Sequence, residues 1–577
     1  MSSITACPLD CYDACEIIFD NGVLKGLKDG HTNGFLCPHL NHYTKHATIQ
    51  VPRYKGNEIT IEEALLKLKE MIDSSKNEDT LYYRGSANFA LMQEVTEHFF
   101  SLYGATLTDG SLCDGAGEEG IIQGRGSNKN MPLHEVAKSE VVIFWGRNPH
   151  TSSSHLLPLI KDKTIIVIDP IKTKIAKVAD LYIQLKPHTD LFLAMLLSRF
   201  LHIENGCDEE FLDKYASEYE EYYELTQNLR IKATLEQIGV TLGQVGDLLR
   251  LVRGKKVAIV CGVGIQKYSD GADVMRAIDA FAAMLGLFAK EGCGVSYLGS
   301  SRDGIVSPFN KNGKKVSKVN TDFSLFKTVF IQGANPLSQM PDSLRVRDSI
   351  SKVENIVYFG LYENETSEIA DLVIPAKSFL YKDDVRTSYS HNRISFMPKV
   401  ANIDIGISEY ELSAYLCKEY SLPIQSEEFY INHFKSFAIK RVDGLMYVDK
   451  REEIPYINGF DTKDKEFIFL DELNSKVDED TGMHLITCKS QGSLNSQFNR
   501  EESVYLHSSL GFEDGEVITI SSINGSVELK VKHNDDLRVD CVLIYSGTKG
   551  VNNLTSSKHA LSTKSAIFQE NKVEIRR

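Results

Sequence analysis

One pattern occurs twice in this chain: an apolar, β-branched run that ends in Gly-x-Asn-Pro and is followed, after a second apolar run, by Ala-Asp-Leu. The shared positions are Gly146, Asn148 and Asp180 in the first copy and Gly333, Asn335 and Asp371 in the second. A single Gly-x-Asn-Pro is an ordinary strand-ending turn, because its residue types all favour turns. Two copies with the same order and spacing indicate two related units of an α/β fold.

The two copies lie where apolar strands alternate with helical patterns. The predicted strands are Val141–Trp145, Thr164–Ile168, Val257–Cys261, Thr328–Gln332 and Asn355–Phe359, and the predicted helices include Leu191–Phe200 and Val274–Leu285. Buried strands separated by helices are typical of parallel sheets, which bind ligands at their carboxyl edge. Glycine there lets a phosphate approach the backbone, and asparagine donates from its amide. We interpret the units as two nucleotide-binding arms in which Asp180 and Asp371 accept hydrogen bonds from a guanine or ribose, with Asp169 and Gly262 as further candidates at this edge.

Four cysteines lie close to the start of the chain. Three are spaced by three residues in Cys7-Pro-Leu-Asp-Cys11-Tyr-Asp-Ala-Cys15, and the fourth is Cys37. Thiolates are the ligands that iron–sulfur clusters require, and a trio with a distant fourth can enclose one 4Fe–4S cluster. Structural zinc is the main alternative, although its ligands usually come as two close pairs. A site-differentiated radical cluster uses three cysteines at another spacing. The acidic residues Asp10, Asp13 and Glu16 are expected to be solvated loop residues.

The chain has 577 residues, so several domains are expected. From about residue 465 short apolar runs alternate with turns, and these predict a β-barrel. The predicted tail strands are Phe467–Leu470, His484–Thr487, Val517–Ser521, Val527–Val531 and Val539–Tyr545. A net charge of -15 disfavours nucleic acid as a partner. No apolar run is long enough to span a membrane, and no targeting signal is recognisable at the start, so a cytoplasmic location is expected.

Taken together, these motifs resemble the dimethyl-sulfoxide-reductase superfamily of molybdopterin oxidoreductases, over nearly the whole length. Further matches are Ala370-Asp371-Leu-Val-Ile-Pro375, Leu494-Asn495-Ser496-Gln497-Phe498 and Val551-Asn552-Asn553-Leu554-Thr555. The resemblance implies a molybdenum or tungsten ion held by two molybdopterin guanine dinucleotides, beside the 4Fe–4S cluster. It also implies Cys113 as a ligand of that metal, the alternative being a small buried cysteine in a glycine-rich loop. The cofactor would further contact Asn495, Ser496, Asn552 and Asn553.

The resemblance divides the chain as follows. A 4Fe–4S domain covers 1–52, a first, discontinuous α/β pterin-dinucleotide domain covers 53–135 and 315–400, a second covers 136–314, a connecting segment covers 401–460 and a barrel over the cofactor covers 461–577. It places His391, Tyr389 and Arg386 near the pterins and the substrate funnel, where they could protonate or orient a substrate or hold the pterins. Of these, His391 is the catalytic candidate beside Cys113.

The chain departs from the family at two places. Formate dehydrogenases of the family carry a histidine after the metal ligand, and this chain has Asp114, which argues against their mechanism. Many members place a lysine or arginine after the fourth cluster cysteine, where this chain has Pro38-His39. The expected function is two-electron redox chemistry on a small substrate, with an electron-carrier protein or iron–sulfur subunit docking near residues 1–50. The alternatives are a non-redox hydratase or transhydroxylase, and a non-catalytic electron-transfer subunit.

Overall fold

Two parallel sheets form the centre of the protein, whose computed structural model describes residues 3–30, 32–403, 405–473 and 482–577. The first is a five-stranded sheet with the spatial order Leu181–Ile183, Thr164–Ile168, Val141–Trp145, Val257–Cys261 and Gly294–Ser296. All of its strand pairs are parallel. Val141–Trp145 and Val257–Cys261 are buried throughout, as expected of parallel strands covered by helices on both faces.

The second sheet has six strands. Their order is Asn57–Glu58, Arg53–Tyr54, Leu372–Pro375, Asn355–Gly360, Thr328–Gln332 and Thr80–Arg84. The last four are parallel, and a short antiparallel hairpin closes one edge. The strands come from two distant stretches of sequence that fall within the discontinuous domain predicted above. The predicted domain limits themselves remain a prediction.

Helices cover both sheets. Those of eight residues or more are Ile61–Asp73, Glu94–Tyr103, Gly115–Arg125, Asp190–Ile203, Tyr219–Gln227, Ile231–Ile238, Leu242–Val252, Gly271–Met284, Ser343–Ile350, Glu409–Glu419 and Glu427–Lys435. Capping boxes start three of them, at Thr60, Thr241 and Ser408. The predicted helices Leu191–Phe200 and Val274–Leu285 correspond to Asp190–Ile203 and Gly271–Met284. In the described part of the chain, no helix combines the length and the apolar character that crossing a bilayer requires.

A small antiparallel sheet and a closed barrel complete the α/β multidomain fold expected from the sequence. The small sheet contains Ser3–Ala6, Glu16–Asp20 and Val23–Gly26, and therefore brackets Cys7, Cys11 and Cys15. The barrel runs through Met483–Ile486, Cys541–Leu543, Ser503–Leu506, Ser526–His533, Val517–Ser521 and Lys572–Arg576. Two of these strands, Ser503–Leu506 and Lys572–Arg576, were not predicted.

The predicted tail strand Phe467–Leu470 is not part of the barrel. Phe467–Ile468 instead pairs in parallel with Ala216–Ser217. Its aromatic rings explain the difference, since Phe467 packs on Phe288, Phe460 and Phe469 beneath the five-stranded sheet domain. The barrel therefore starts at Met483 within the described residues, later than predicted.

Candidate active site

A cavity of about 990 Å³ lies where the two parallel sheets, the N-terminal sheet and the barrel meet. The loops after Trp145, Ile168 and Cys261 line it, so it occupies the carboxyl edge of the five-stranded sheet. At this edge a Cβ on Gly262 would lie 1.7 Å from the carbonyl oxygen of Gly146. Only glycine fits at position 262. The loop after Trp145 and the loop after Cys261 are therefore in direct contact and form one side of the cavity.

All four N-terminal cysteines line this cavity, and none of them is in a disulfide. Burial raises the pKa of Cys11 to about 12, and the neighbouring Asp13 and Cys37 raise it further. Burial also raises the pKa of Cys15, which has Cys7, Cys11 and Cys37 among its neighbours. Four thiols that line one cavity, two of them buried and two half-buried, are suited to binding a cationic metal group, which favours the thiolate form.

Arg386 fixes the loop that carries three of these cysteines. Its buried guanidinium donates to the carbonyl oxygens of Cys7 at 3.3 Å, Leu9 at 3.3 Å and Cys11 at 3.4 Å. It also stacks on the ring of Phe89, 5.0 Å from the centroid. Arg386 is not among the residues that line the cavity. The structure therefore assigns it to the cysteine loop rather than to a substrate.

His391 has a comparable position. Its Nε2 lies 2.8 Å from the carbonyl oxygen of Asp13, and its Nδ1 accepts from the amide of Arg393 at 3.3 Å. Burial lowers the pKa of His391 to about 3, so the ring is neutral at ordinary pH. It lies outside the lining of the cavity, whereas Tyr389 is part of that lining. The geometry thus gives His391 a positioning role, and its catalytic role remains a prediction.

Two of the three acidic residues beside the cysteines are buried, contrary to expectation, whereas Asp10 is partly exposed. Asp13 is 3% exposed and Glu16 9% exposed. The Oδ2 atom of Asp13 lies 2.8 Å from Nδ1 of His155, and Cys15 Sγ lies 3.7 Å from the same nitrogen. The ligand atoms of Asp13, Cys15 and His155 lie within 4.8 Å of one another. His155 thus acts as an outer partner of the cysteine site, a position from which hydrogen bonds tune metal ligands.

Cys113 lies in a loop that leads directly into the helix Gly115–Arg125. Ser111 Oγ accepts from the amides of Cys113 at 3.0 Å and Asp114 at 3.2 Å and donates to the Asp114 carboxylate. Gln266 donates to the Cys113 carbonyl at 2.8 Å and accepts from the Gly117 amide at 2.8 Å. The backbone on both sides of the thiol is therefore fixed, and the thiol lines the cavity.

Charged groups surround Cys113. Burial raises the pKa of Asp114, and the nearby Asp10 raises it further. Asp10 accepts from Ser86 Oγ at 2.9 Å and from the Tyr389 hydroxyl at 3.2 Å. Burial lowers the pKa of Lys267, which also lines the cavity. Two carboxyl groups, an amine and the Tyr389 phenol that donates to Asp10 therefore lie near Cys113.

The predicted cofactor residues fall into two groups. Those that line the cavity are Gly146, Asn148, Asp169, Gly262, Asn495 and Asn552. Those that do not are Asp180, Gly333, Asn335, Asp371, Ser496 and Asn553. Burial raises the pKa of Asp169 to about 7, and its carboxylate accepts from the Ile171 amide at 2.8 Å. Asp169 is thus a carboxyl group at the cavity wall that can meet a base or ribose.

Asp180 and Asp371 have a structural role in the folded chain, and their contact with a cofactor stays a prediction. Asp180 accepts from the amide of Ile165 at 2.8 Å, and Asp371 accepts from the amide of Ile356 at 2.9 Å. Each carboxylate ties the start of one strand to its neighbour, at the amino edge of its sheet. The repeat in the sequence therefore reflects a shared way of joining neighbouring strands at the amino edge of each sheet.

Several basic residues of the cavity were missed by the sequence reasoning. The loop after Ile168 contributes Lys172, Lys174 and Lys177, and Lys186 follows the next strand. Lysines beside Asp169 suit the phosphate groups of a nucleotide. These lysines could have been predicted to line the ligand edge, because they follow the Asp169-Pro170 turn at the carboxyl end of a predicted strand. In the second copy of the repeat, the Asn335 side chain makes hydrogen bonds with Glu365, Ser496 and Thr366.

Comparisons with known proteins agree with this geometry. Residues 57–403 match the molybdopterin oxidoreductase family. A probable oxidoreductase, YyaE, of Bacillus subtilis (strain 168) is 27% identical over 436 residues, which cover 69% of this chain and 65% of the relative. Formate dehydrogenase H of Escherichia coli (strain K12) is 22% identical over 460 residues, covering 67% of this chain and 63% of the relative. The chain thus matches less than two thirds of the length of these relatives.

One solved structure resembles the whole chain. Acetylene hydratase from Pelobacter acetylenicus superposes with a TM-score of 0.79 and 14% sequence identity, over 100% of both chains. At this identity the likeness shows a shared fold.

Proposed function

This chain belongs to the molybdopterin oxidoreductase family, and we propose that it is a molybdenum- or tungsten-dependent enzyme that carries out two-electron redox chemistry on a small substrate. The observation that carries this proposal is the convergence of five cysteines, Cys113 and the N-terminal four, on one cavity at the carboxyl edge of a parallel sheet. Oxidation of one substrate molecule would reduce two equivalents of a one-electron carrier protein. In the opposite direction, two equivalents of the reduced carrier would reduce one substrate molecule.

The residues present fit the cofactors that the family implies. The thiols of Cys7, Cys11, Cys15 and Cys37 would hold a 4Fe–4S cluster, and Cys113 would complete a sulfur-rich coordination of the metal. Gly146, Asn148, Asp169, Gly262, Asn495 and Asn552 would bind the two pterin guanine dinucleotides. When bound, the metal supplies two-electron chemistry and the cluster supplies one-electron transfer.

The chain's own contribution is to position these groups and to move protons. Arg386 and His391 hold the backbone of the cysteine loop, and Gln266 and Ser111 hold that of Cys113. Asp10 and Asp114 can take up or release the protons that accompany electron transfer, and Tyr389 holds the Asp10 carboxylate in place. Cys11 and Cys37 are only partly buried, so we propose that an electron-carrier protein docks near residues 1–50.

Metal and nucleotide analysis tests the proposal first. Protein purified without oxygen should contain about four irons, about one molybdenum or tungsten, and about two GMP released on hydrolysis, per chain. Zinc without GMP would contradict both cofactor assignments. Iron without molybdenum, tungsten or GMP would instead support an electron-transfer subunit.

A non-redox hydratase is the second candidate function. The observation that favours it is the carboxyl pair of Asp10 and Asp114 beside Cys113, which could activate water without any change of oxidation state. The fold shared with acetylene hydratase makes this chemistry accessible to the same framework.

The two functions differ in their need for an electron acceptor. For the redox function we expect turnover only in the presence of a one-electron dye such as methyl viologen, supplied oxidised or reduced, because electrons must leave or enter the protein. Asp114→Asn should lower kcat by about 100-fold, as loss of a proton-transfer group does, with the molybdenum or tungsten content unchanged. Steady product formation in anaerobic buffer without any dye would establish the hydratase.

A further inference from the structure

One end of the cavity is cationic, and the proposed function does not use it. Arg84, Arg302 and Lys318, which we call the cationic end, all line the cavity. Arg84 is the last residue of the strand Thr80–Arg84, and Lys318 directly follows the strand Lys315–Ser317. Arg302 lies in the loop after the strand Gly294–Ser296. Three separate elements therefore bring positive charge to one place.

The carboxylates nearby do not balance this charge. Glu94 lies 2.9 Å from Arg302 and 2.7 Å from Lys311, and Glu97 lies 3.2 Å from Arg84. Glu94 and Glu97 thus face four cations, and Asp109, a further neighbour of Lys318, is itself paired with Lys564 at 3.3 Å. Among the described residues, Lys318 has no carboxylate within ion-pair distance, and Nη1 of Arg302 is buried without a hydrogen-bond acceptor. The side chains of Arg84 and Arg302 are 24% and 27% exposed, so their charges are partly desolvated and an additional anion would stabilise this arrangement.

The cationic end adjoins the reacting groups. The amide of Lys318 donates to the carbonyl oxygen of Asp109 at 2.7 Å, in the segment that leads to Cys113. Ser86, two residues after Arg84, donates to Asp10. Arg302 is an electrostatic neighbour of Tyr389, whose hydroxyl donates to the same carboxylate. A ligand at the cationic end would therefore extend towards Cys113, Asp10 and Tyr389.

Building on the function proposed above, we propose that the cationic end binds an anionic group of the substrate, a carboxylate or another small oxyanion. Two guanidinium groups offer planar pairs of donors that match a carboxylate, and the lysine adds a point charge. The reacting part of the substrate then lies towards Cys113. The substrate class is accordingly a small organic acid or an inorganic oxyanion.

The charge state of Lys318 sets the pH range of this binding. Burial lowers its pKa to about 8, and Arg84 lowers it further, while Glu97 and Asp109 oppose the shift. The ring of Tyr83, 5.7 Å from Nζ, is its other neighbour here. Lys318 must be protonated to attract an anion. Affinity for the anion should therefore be highest below about pH 8 and should fall as the pH rises above that value.

Acetate and its neutral counterpart acetamide are suitable probes of the holoenzyme. Titration calorimetry at pH 7 should detect acetate binding and at least a 10-fold weaker response to acetamide. Lys318→Met and Arg302→Gln should each weaken acetate binding by about 10-fold or more, a single lost charge contact in a buried site. Lys315→Met is the matched control, because Lys315 is exposed on the adjoining strand, and its acetate binding should equal that of the unmodified protein.

Each preparation is also assayed for iron, molybdenum or tungsten, and GMP. Equal binding of acetate and acetamide, or acetate binding that both variants retain, would overturn the proposal. Loss of GMP or of molybdenum in the variants would overturn it as well, because the cationic end would then hold a phosphate of the cofactor. Unmodified protein that binds acetate but contains no pterin metal would contradict the proposed function and leave the anion site standing.

Discussion

Replacement of Cys113 by alanine should lower turnover by more than about 100-fold, while the four irons stay bound. Loss of a residue that merely orients a metal ligand typically costs 10–100-fold, and Cys113 is proposed as the ligand itself. Its backbone is fixed by Ser111 and Gln266 rather than by the thiol, so the loop should keep its shape without the sulfur. The measurement is kcat with a dye acceptor, normalised to iron and GMP content.

Two further variants control this experiment. Cys113→Ser offers an oxygen ligand of similar size, and should change the electron paramagnetic resonance signal of the metal, which an ordinary packing residue would not do. Cys207→Ala removes a cysteine that contacts Tyr219 and does not line the cavity, and should have full activity. If Cys113→Ala retained activity and metal content, Cys113 would be a structural cysteine and the metal would lack a protein ligand there.

The ion pair of Arg125 and Asp279 should give the largest effect on stability. Both side chains are fully buried, and they join the helix Gly115–Arg125 to the helix Gly271–Met284. Nε of Arg125 donates to Asp279 Oδ2 at 2.7 Å, a second nitrogen donates to Oδ1, and the guanidinium stacks on Phe288. Asp279→Leu leaves a buried, unpaired cation, and should cost about 3–5 kcal/mol.

Hydrogen exchange of the amides in these two helices is the appropriate measurement, because a multidomain chain has no single free energy of unfolding. The double variant Arg125→Met with Asp279→Leu is the matched control, since an apolar pair of similar volume is often neutral or stabilising. Asp247→Asn, at an exposed pair with Arg250, should leave exchange unchanged. Equal destabilisation in the double and the single variant would mean that packing, and not the ion pair, holds the helices together.

Local signals made much of the fold predictable from the sequence. Thr164–Ile168, Val257–Cys261 and Thr328–Gln332 are the strands that their apolar runs predicted, because a strand buried on both faces needs an uninterrupted apolar run. Phe467–Leu470 has the same composition but pairs elsewhere, since its partner Ala216–Ser217 lies about 250 residues earlier in the chain. Strand pairing over such a distance gives no signal in the local sequence.

The site could be predicted in part. The four N-terminal cysteines and Gly262 belong to short sequence motifs, Cys113 was implied by the family resemblance, and all six line the cavity. The contacts of Arg386 were not predicted, since its partners are backbone carbonyls that any residue carries. Asp10 was expected to be a solvated loop residue, because its neighbours Ser86 and Tyr389 are remote in sequence. The cationic end likewise combines three elements, and only the folded chain brings them together.

The bond between Arg386 and the cysteine loop has a consequence for the order of events during synthesis. Arg386 and Cys7 are 379 residues apart. At roughly 5–20 residues per second, the ribosome needs roughly 20–80 s to supply Arg386 after the cysteines have emerged. During this interval the four thiols are present without the guanidinium that fixes their loop. If these thiols hold the proposed cluster, its site can form in full only after residue 386 has been made, and the thiols would have to be protected from oxidants until then.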